Sequence, residues 1–170
     1  RIPGRPGLNA LRTHNLYKIT KEHAAYLEEI NKNTGLNSLR EKHRAQGFIP
    51  SLAENRMEFG TMEFTIVDSN EQEGRWSYSD KRDVERTLNG IKEALYTCEA
   101  VVIMIHSHEI KADQEYEADY FMEEFAHACI DACACAVVGS GTHQMKGIEF
   151  YKDCPIFYCL GNFIFENEFV

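Results

Sequence analysis

Apolar positions recur with a helical period in some stretches of this chain and as strand-length runs in others, which predicts alternating helices and strands. Between Thr20 and Asn31, Ala24, Leu27 and Ile30 line one helical face, Thr20 supplies a hydroxyl N-cap, and Gly35 follows the end. Leu36 to Gln46 reads as a second, short helix stopped by Gly47. Met62, Phe64 and Ile66 share one side of a strand from Met62 to Val67, and a turn from Ser69 to Gly74 follows it. The clearest stripe, Val84, Leu88, Ile91 and Leu95, predicts a helix from Asp80 to about Tyr96 with Ser79 or Asp80 as N-cap.

From Ala100 to Ile105 the chain is apolar without alternation, which implies a central strand buried on both faces, ending at His106. A helix from about Ala118 to Ala132 leads into a strand from Ala136 to Val138, and the β–α–β order implies a right-handed parallel crossover. The polar segments that follow the two strands then emerge at one sheet edge. Lys146–Tyr151 and Pro155–Leu160 read as two strands joined by the turn Lys152–Pro155, a hairpin. The opening residues, with Pro3, Gly4, Pro6 and Gly7, read as a loop entering from something upstream. The resulting class is α/β, and 170 residues suffice for a single domain with a real core.

Charge narrows the partners. The formal net charge is -9, from 27 acidic against 18 basic residues, and the basic residues form no stripe. Nucleic acid and anionic membrane surfaces are repelled by that balance, so no nucleic-acid partner is expected. No apolar stretch approaches the roughly 18 residues of a membrane-spanning helix, and no signal segment opens the chain. The six cysteines show no paired metal-site spacing and read as small buried thiols rather than a disulfide framework.

Two segments carry candidate chemistry. Val101–Glu109 and Val137–Phe165 each begin as an apolar run and stop at glycines, histidines and carboxylates, as strands do when they deliver ligands to a sheet edge. The Ile105–Glu109 run IHSHE, the later GIEFY and the closing PIFYCLGNFIF resemble the bacterial capsule-synthesis family CapA, also called poly-gamma-glutamate synthesis proteins. That family is a branch of the calcineurin-like metallophosphoesterases. Gly4–Arg12 and Gly35–Phe48 are similar to segments upstream of the histidine strand in one branch of it, so the resemblance covers nearly the whole chain.

The resemblance implies a metallophosphoesterase-like α/β/β/α sandwich of which only the C-terminal part is represented. The glycine-aspartate and asparagine-histidine motifs of the family's N-terminal half do not occur in these residues. It also implies a divalent metal (manganese, zinc or iron), a phosphoester or extracellular polymer as substrate, capsule-synthesis machinery as partner, and a membrane-associated or extracytoplasmic location. Imidazole and carboxylate ligands suit such borderline metals.

By the same resemblance His106 and His143 correspond to metal ligands, with His108 and Glu109 as catalytic candidates. Glu109 would orient a ligand histidine or accept a substrate proton. Asn162 would hydrogen-bond a loop near the site or form a turn, and Glu149 would point into the site or pair across the hairpin. Gly139 and Gly141 read as tight turns with positive φ. His14, His23, His43 and His127 read as solvated or core histidines without partners.

Departures from the family pattern matter. Ser140 stands where the loop has its first histidine and Thr142 where it has proline, so one strong donor is gone. Cys133, Ala134 and Cys135 replace glycine-alanine-aspartate, and Cys135, at a strand start opposite the ligand edge, reads as packing. Two functions remain open. One is a metal-dependent phosphoesterase-like enzyme of capsule or poly-gamma-glutamate metabolism; the other is a degenerate, non-catalytic binding or assembly domain in polymer export.

Overall fold

The computed structural model describes residues 8–111 and 114–162. The opening proline- and glycine-rich loop and the end of the closing motif, from Phe163 onward, lie outside the described residues. The chain divides into two compact units, one formed by Asn15–Trp76 and the other by Arg1–His14 with Ser77–Val170.

The first of these contains most of a sheet built from β1 (Thr13–Thr20), β2 (Arg56–Phe59), β3 (Met62–Val67) and β4 (Gly74–Ser79), with α1 (Lys21–Thr34) and α2 (Ser38–Ala45) between β1 and β2. The strand order is β2-β3-β1-β4, with β1 parallel and β2 antiparallel to β3. The unit boundary falls within β1 and β4. Helix α1 has its expected ends: Thr20 Oγ1 accepts from the His23 N–H, and Gly35 (φ 68) returns its N–H to Asn31 O at 2.8 Å.

Its expected apolar face is only partly used, because Ala24 and Asn31 turn inward while Ile30 is exposed. The reason is a polar interior. Asn31 Oδ1 accepts from Asn37 N (2.8 Å) and its Nδ2 donates to Glu41 (2.6 Å), while the Asn37 amide exchanges two hydrogen bonds with the backbone of Gly60. Helix α2 is shorter than expected and buries none of its residues.

It is held instead by charge. Arg40 makes a two-bond fork to Glu58 (2.9 and 3.0 Å), and Arg44 adds a contact at 2.9 Å.

The second unit holds α3 (Lys81–Ala94), β5 (Val102–Ser107), α4 (Tyr120–Asp131), β6 (Ala136–Gly141), β7 (Ile148–Tyr151) and β8 (Cys154–Phe157). Of the two expected caps of α3, Asp80 is the one used, accepting from the N–H groups of Arg82 and Asp83. The sheet order is β5-β6-β8-β7, with β5 and β6 parallel, as the β–α–β pattern requires, and β7 and β8 an antiparallel hairpin. Lys152 (φ 51) and Asp153 (φ 62) form its two-residue turn, the positive φ pair of a type I′ connection.

The core lies on one face of this sheet. Phe125, Ala126, Cys129 and Ile130 of α4 and Ile91 of α3 pack with Val137 and Ile156. On α3, Asp83 is buried and takes the Arg12 side chain (2.7 Å) and backbone N–H (3.0 Å), tying the entering segment to the helix.

Strand β5 is not central, contrary to the expectation from its unbroken apolar run. It forms an edge, and its residues alternate: Ile103 and Ile105 pack toward the helices, while Val102 and Met104 face away, Met104 with 79% of its surface exposed. The run is apolar on both sides because the sheet's second face is apolar, not because helices cover it. Ile148 and Phe150 of β7 are exposed in the same manner.

The thiols also need correction. All six are free; Cys129 and Cys159 are buried, but Cys98, Cys133 and Cys135 are exposed. Burial pushes the Cys129 thiol up to about 12, so it packs as an inert apolar group.

Cys133 sits in the left-handed region (φ 73) just after α4, where a Cβ is strained and a glycine would not be. Cys133→Gly is expected to stabilise the protein by about 1 kcal/mol, read as a higher urea midpoint at unchanged m-value. A second expectation concerns acid.

The hydrogen bond from Arg40 holds Glu58 at about 2 against an ordinary 4.5; partial burial opposes this and Arg44 reinforces it. The depressed pKa contributes stability above pH 4.5 that is lost as pH falls toward 2. The stability gap between the native protein and Glu58→Gln is therefore expected to be widest above pH 5 and to close between about pH 4.5 and 2, measured by urea titrations across that range.

Candidate histidine site at the β5–β6 edge

The parallel register places Ile105 opposite Gly139, His106 opposite Ser140 and Ser107 opposite Gly141. Side chains alternate along a strand, so His106 and Ser140 stand side by side on the face turned away from the helices. Gly141 has the expected positive φ (127) and Gly139 does not, and neither forms a tight turn, since both lie within β6. Close approach explains them: a Cβ at Gly139 would fall 2.1 Å from Tyr158 O, and one at Gly141 2.2 Å from Ser107 O.

Ser140 makes two contacts at this edge. Its Oγ donates to Ile105 O (3.4 Å) and accepts from His106 Nδ1 (3.0 Å), so the His106 proton sits on Nδ1 and the lone pair on Nε2. That lone pair faces His108 Nε2 at 3.2 Å. The His106 and His108 rings meet edge-on with centroids 5.0 Å apart, and His143 approaches His108 at 5.6 Å.

His143 adopts left-handed backbone (φ 62), an unusual conformation for a non-glycine residue, and its Nδ1 donates to Asn162 Oδ1 at 2.8 Å. Asn162 is thus brought to the site as expected, and it leaves the His143 lone pair on Nε2. Histidine ligands to metals are ordinarily fixed through the other ring nitrogen in this way.

Glu109 is placed differently. Its carboxylate is hydrogen-bonded by Ser107 Oγ, which also accepts the Glu109 N–H (3.2 Å), making a tight local turn. Glu149 likewise turns elsewhere: it accepts from Tyr158 across the hairpin (2.5 Å) and meets His127 of α4 at 2.9 Å. The Tyr158 bond holds Glu149 below the usual carboxylate range against partial burial, and the His127 bond adds to this.

The remaining histidines do have partners, contrary to expectation. His23 pairs with Glu73 (2.7 Å), His14 stacks on Tyr78, and His43 meets Phe48 edge-on. These partners are invisible in sequence because most lie far away along it. Cys135 bonds through its thiol to Val101 O at the opposite end of β6, but it is exposed rather than packed.

For a divalent metal, two nitrogens bound at roughly 2.0–2.1 Å in tetrahedral geometry lie about 3.3 Å apart. The 3.2 Å between His106 and His108 Nε2 fits that edge, so the position between them suits a cation held by two nitrogens. Among the described residues, no three His, Cys, Asp or Glu side chains are arranged to hold a metal ion. The arrangement is a pair of imidazole nitrogens in contact, with a third imidazole beside them.

Sequence reasoning missed Lys146 and the orienting role of Ser140. Lys146 is buried, its Nζ donating to Glu109 O (3.2 Å) and Glu117 O (2.9 Å), and desolvation lowers its pKa. A lysine opening a strand-like segment gives no sequence signal of burial.

Comparison with known proteins adds to this geometry. The protein y4sH of Sinorhizobium fredii (strain NBRC 101917 / NGR234) is 30% identical over 165 residues, covering 97% of this chain and 33% of that protein. The PGA biosynthesis protein CapA of Bacillus subtilis (strain 168) is 36% identical over 87 residues, 50% of this chain and 22% of that protein. The capsule biosynthesis protein CapA of Bacillus anthracis is 42% identical over 45 residues, 26% of this chain and 11% of that protein. The chain therefore spans about a third of the first of these relatives and less of the others. Residues 16–167, which contain every histidine of the site, match the bacterial capsule synthesis protein family PGA_cap, and the chain belongs to that family.

Proposed function

We propose that this chain serves capsule or poly-gamma-glutamate synthesis, and that its β5–β6 edge supplies the histidine side of a metal-dependent, phosphoesterase-like hydrolytic site. The observation that carries the reading is the His106–His108 nitrogen pair at 3.2 Å, with His143 beside it. Ser140 and Asn162 fix the outer nitrogens of His106 and His143, which directs their lone pairs inward. A divalent metal supplies an activated water and a Lewis acid for a phosphoryl oxygen.

His106 and His143, with His108, would hold the ion. The Ser107–Glu109 turn orients His108, and in this geometry Glu109 acts on that turn rather than on substrate. The uncovered apolar face formed by Val102, Met104, Ile148 and Phe150 supports the sandwich architecture, in which a second sheet packs against this one. His106 and Ser140 lie on that same face, so a second sheet would also wall the site and could bring further ligands.

A non-catalytic role in binding or assembly during polymer export is the second reading. It is favoured by the absence, among the described residues, of a three-ligand metal set.

Calorimetric titration with zinc and manganese separates the two. Binding is expected in the native protein, lost in His106→Ala and reduced in His143→Ala. Ser140→Ala is expected to weaken binding roughly tenfold, as loss of an outer-shell partner does. No binding, or binding indifferent to His106 and His143, would transfer the function to the non-catalytic reading. Hydrolysis of a model phosphodiester by the chain alone, abolished in His106→Ala, would establish a complete site in these residues.

A further inference from the structure

Lys146 lies in the loop between β6 and β7, with its backbone N–H on Cys159 O at 3.0 Å. Only 8% of the residue is exposed. An ammonium brought out of water needs partners for its protons. Those found here are two main-chain carbonyls, Glu109 O at 3.2 Å and Glu117 O at 2.9 Å. The acidic groups that act on it are first the Cys159 thiol, then Asp119, itself buried and capping α4, and Glu109.

The two carbonyls lie at opposite ends of the segment that leaves β5 and enters α4. The first belongs to the residue next to His108. Backbone carbonyls in such a connection lack a strand or helix partner, and a lysine on a flexible stem can reach both at once.

We infer that Lys146 is a positioning residue for His108: by gripping Glu109 O and Glu117 O from the His143 loop, it fixes the His108 backbone and thereby the 3.2 Å contact of His108 with His106. The inference rests on the proposed histidine site for its functional meaning, but its geometry stands without a metal. Lys146 touches no reacting group. It acts through the loop.

The test uses the full 170-residue chain in solution. Without metal, hydrogen-bond couplings from Lys146 Nζ to the carbonyl carbons of Glu109 and Glu117 are expected by nuclear magnetic resonance, together with ring-to-ring cross-relaxation between His106 and His108. Lys146→Met, which keeps the stem and removes the donors, is expected to abolish the His106–His108 contact while leaving the His143–Asn162 bond intact. Lys146→Gln, whose amide retains two N–H donors, is expected to restore the contact at least in part. Zinc affinity is expected to follow the contact, weakened about tenfold in Lys146→Met and recovered in Lys146→Gln.

A His106–His108 contact that persists in Lys146→Met overturns the inference. So does the absence of both couplings in the native chain, a result independent of whether the Met variant folds. If the native chain binds no zinc, the metal reading fails, while the couplings and ring contacts still decide the role of Lys146.

Discussion

The close approach of backbone at Gly139 and Gly141 is the constraint on which the site depends. Strand β6 lies against Ser107 on one side and the chain leaving β8 on the other, near enough that a methyl group at either glycine would collide with a main-chain carbonyl. At Gly139 the returning chain is Tyr158–Leu160, and Leu160 N donates to Gly139 O at 3.2 Å. This return delivers Asn162 to His143. At Gly141 the neighbour is the end of β5, which holds His106 opposite Ser140. A side chain at either position would move a histidine or its orienting partner.

The two units are stabilised by different physics. In Asn15–Trp76 the organising contacts are polar: the buried Asn31 and Asn37 amides substitute for backbone partners, and the Arg40–Glu58–Arg44 cluster anchors a helix that buries nothing. Charged and amide contacts of this kind depend on every group being satisfied, which makes the unit sensitive to acid. The unit containing the histidines has an apolar core of α3, α4 and the inner sheet positions. Its polar groups are concentrated at the strand ends, where they act on one another over short distances.

How much of this was legible follows from the same distinction. Helices α1 and α3, strand β3 and the β7–β8 hairpin had local signals: hydroxyl or carboxylate caps, a period, a turn. Their ends in the structure lie within a few residues of the expectation. Strands β1, β2 and β4 had none, because Thr13–Thr20, Arg56–Phe59 and Gly74–Ser79 carry mixed polar and apolar residues and depend on pairing partners distant in sequence. Strand β5 was recognised but misplaced, since an apolar run cannot say whether helices cover both of its faces. The family resemblance singled out His106, His108, His143 and Asn162, and the structure brings these side chains near one another. The directions of Glu109 and Glu149, and the clamp at Lys146, are set by three-dimensional hydrogen bonds that leave no periodic trace.

Placing the histidines on the helix-free face has a physical consequence. Imidazole nitrogens beside open solvent exchange partners with water, and hydration screens the charge of any ion they hold. Covering the apolar positions of β5 and β7 would remove that water. The proposed second layer would therefore contribute to the chemistry as well as to stability: the same apolar burial that holds two sheets together would lower the dielectric around the histidine nitrogens and strengthen their hold on a cation. The exposed apolar face and the polar strand ends are thus parts of one requirement. In the proposed sandwich, a site at its rim would gain its electrostatic strength only with both layers in place.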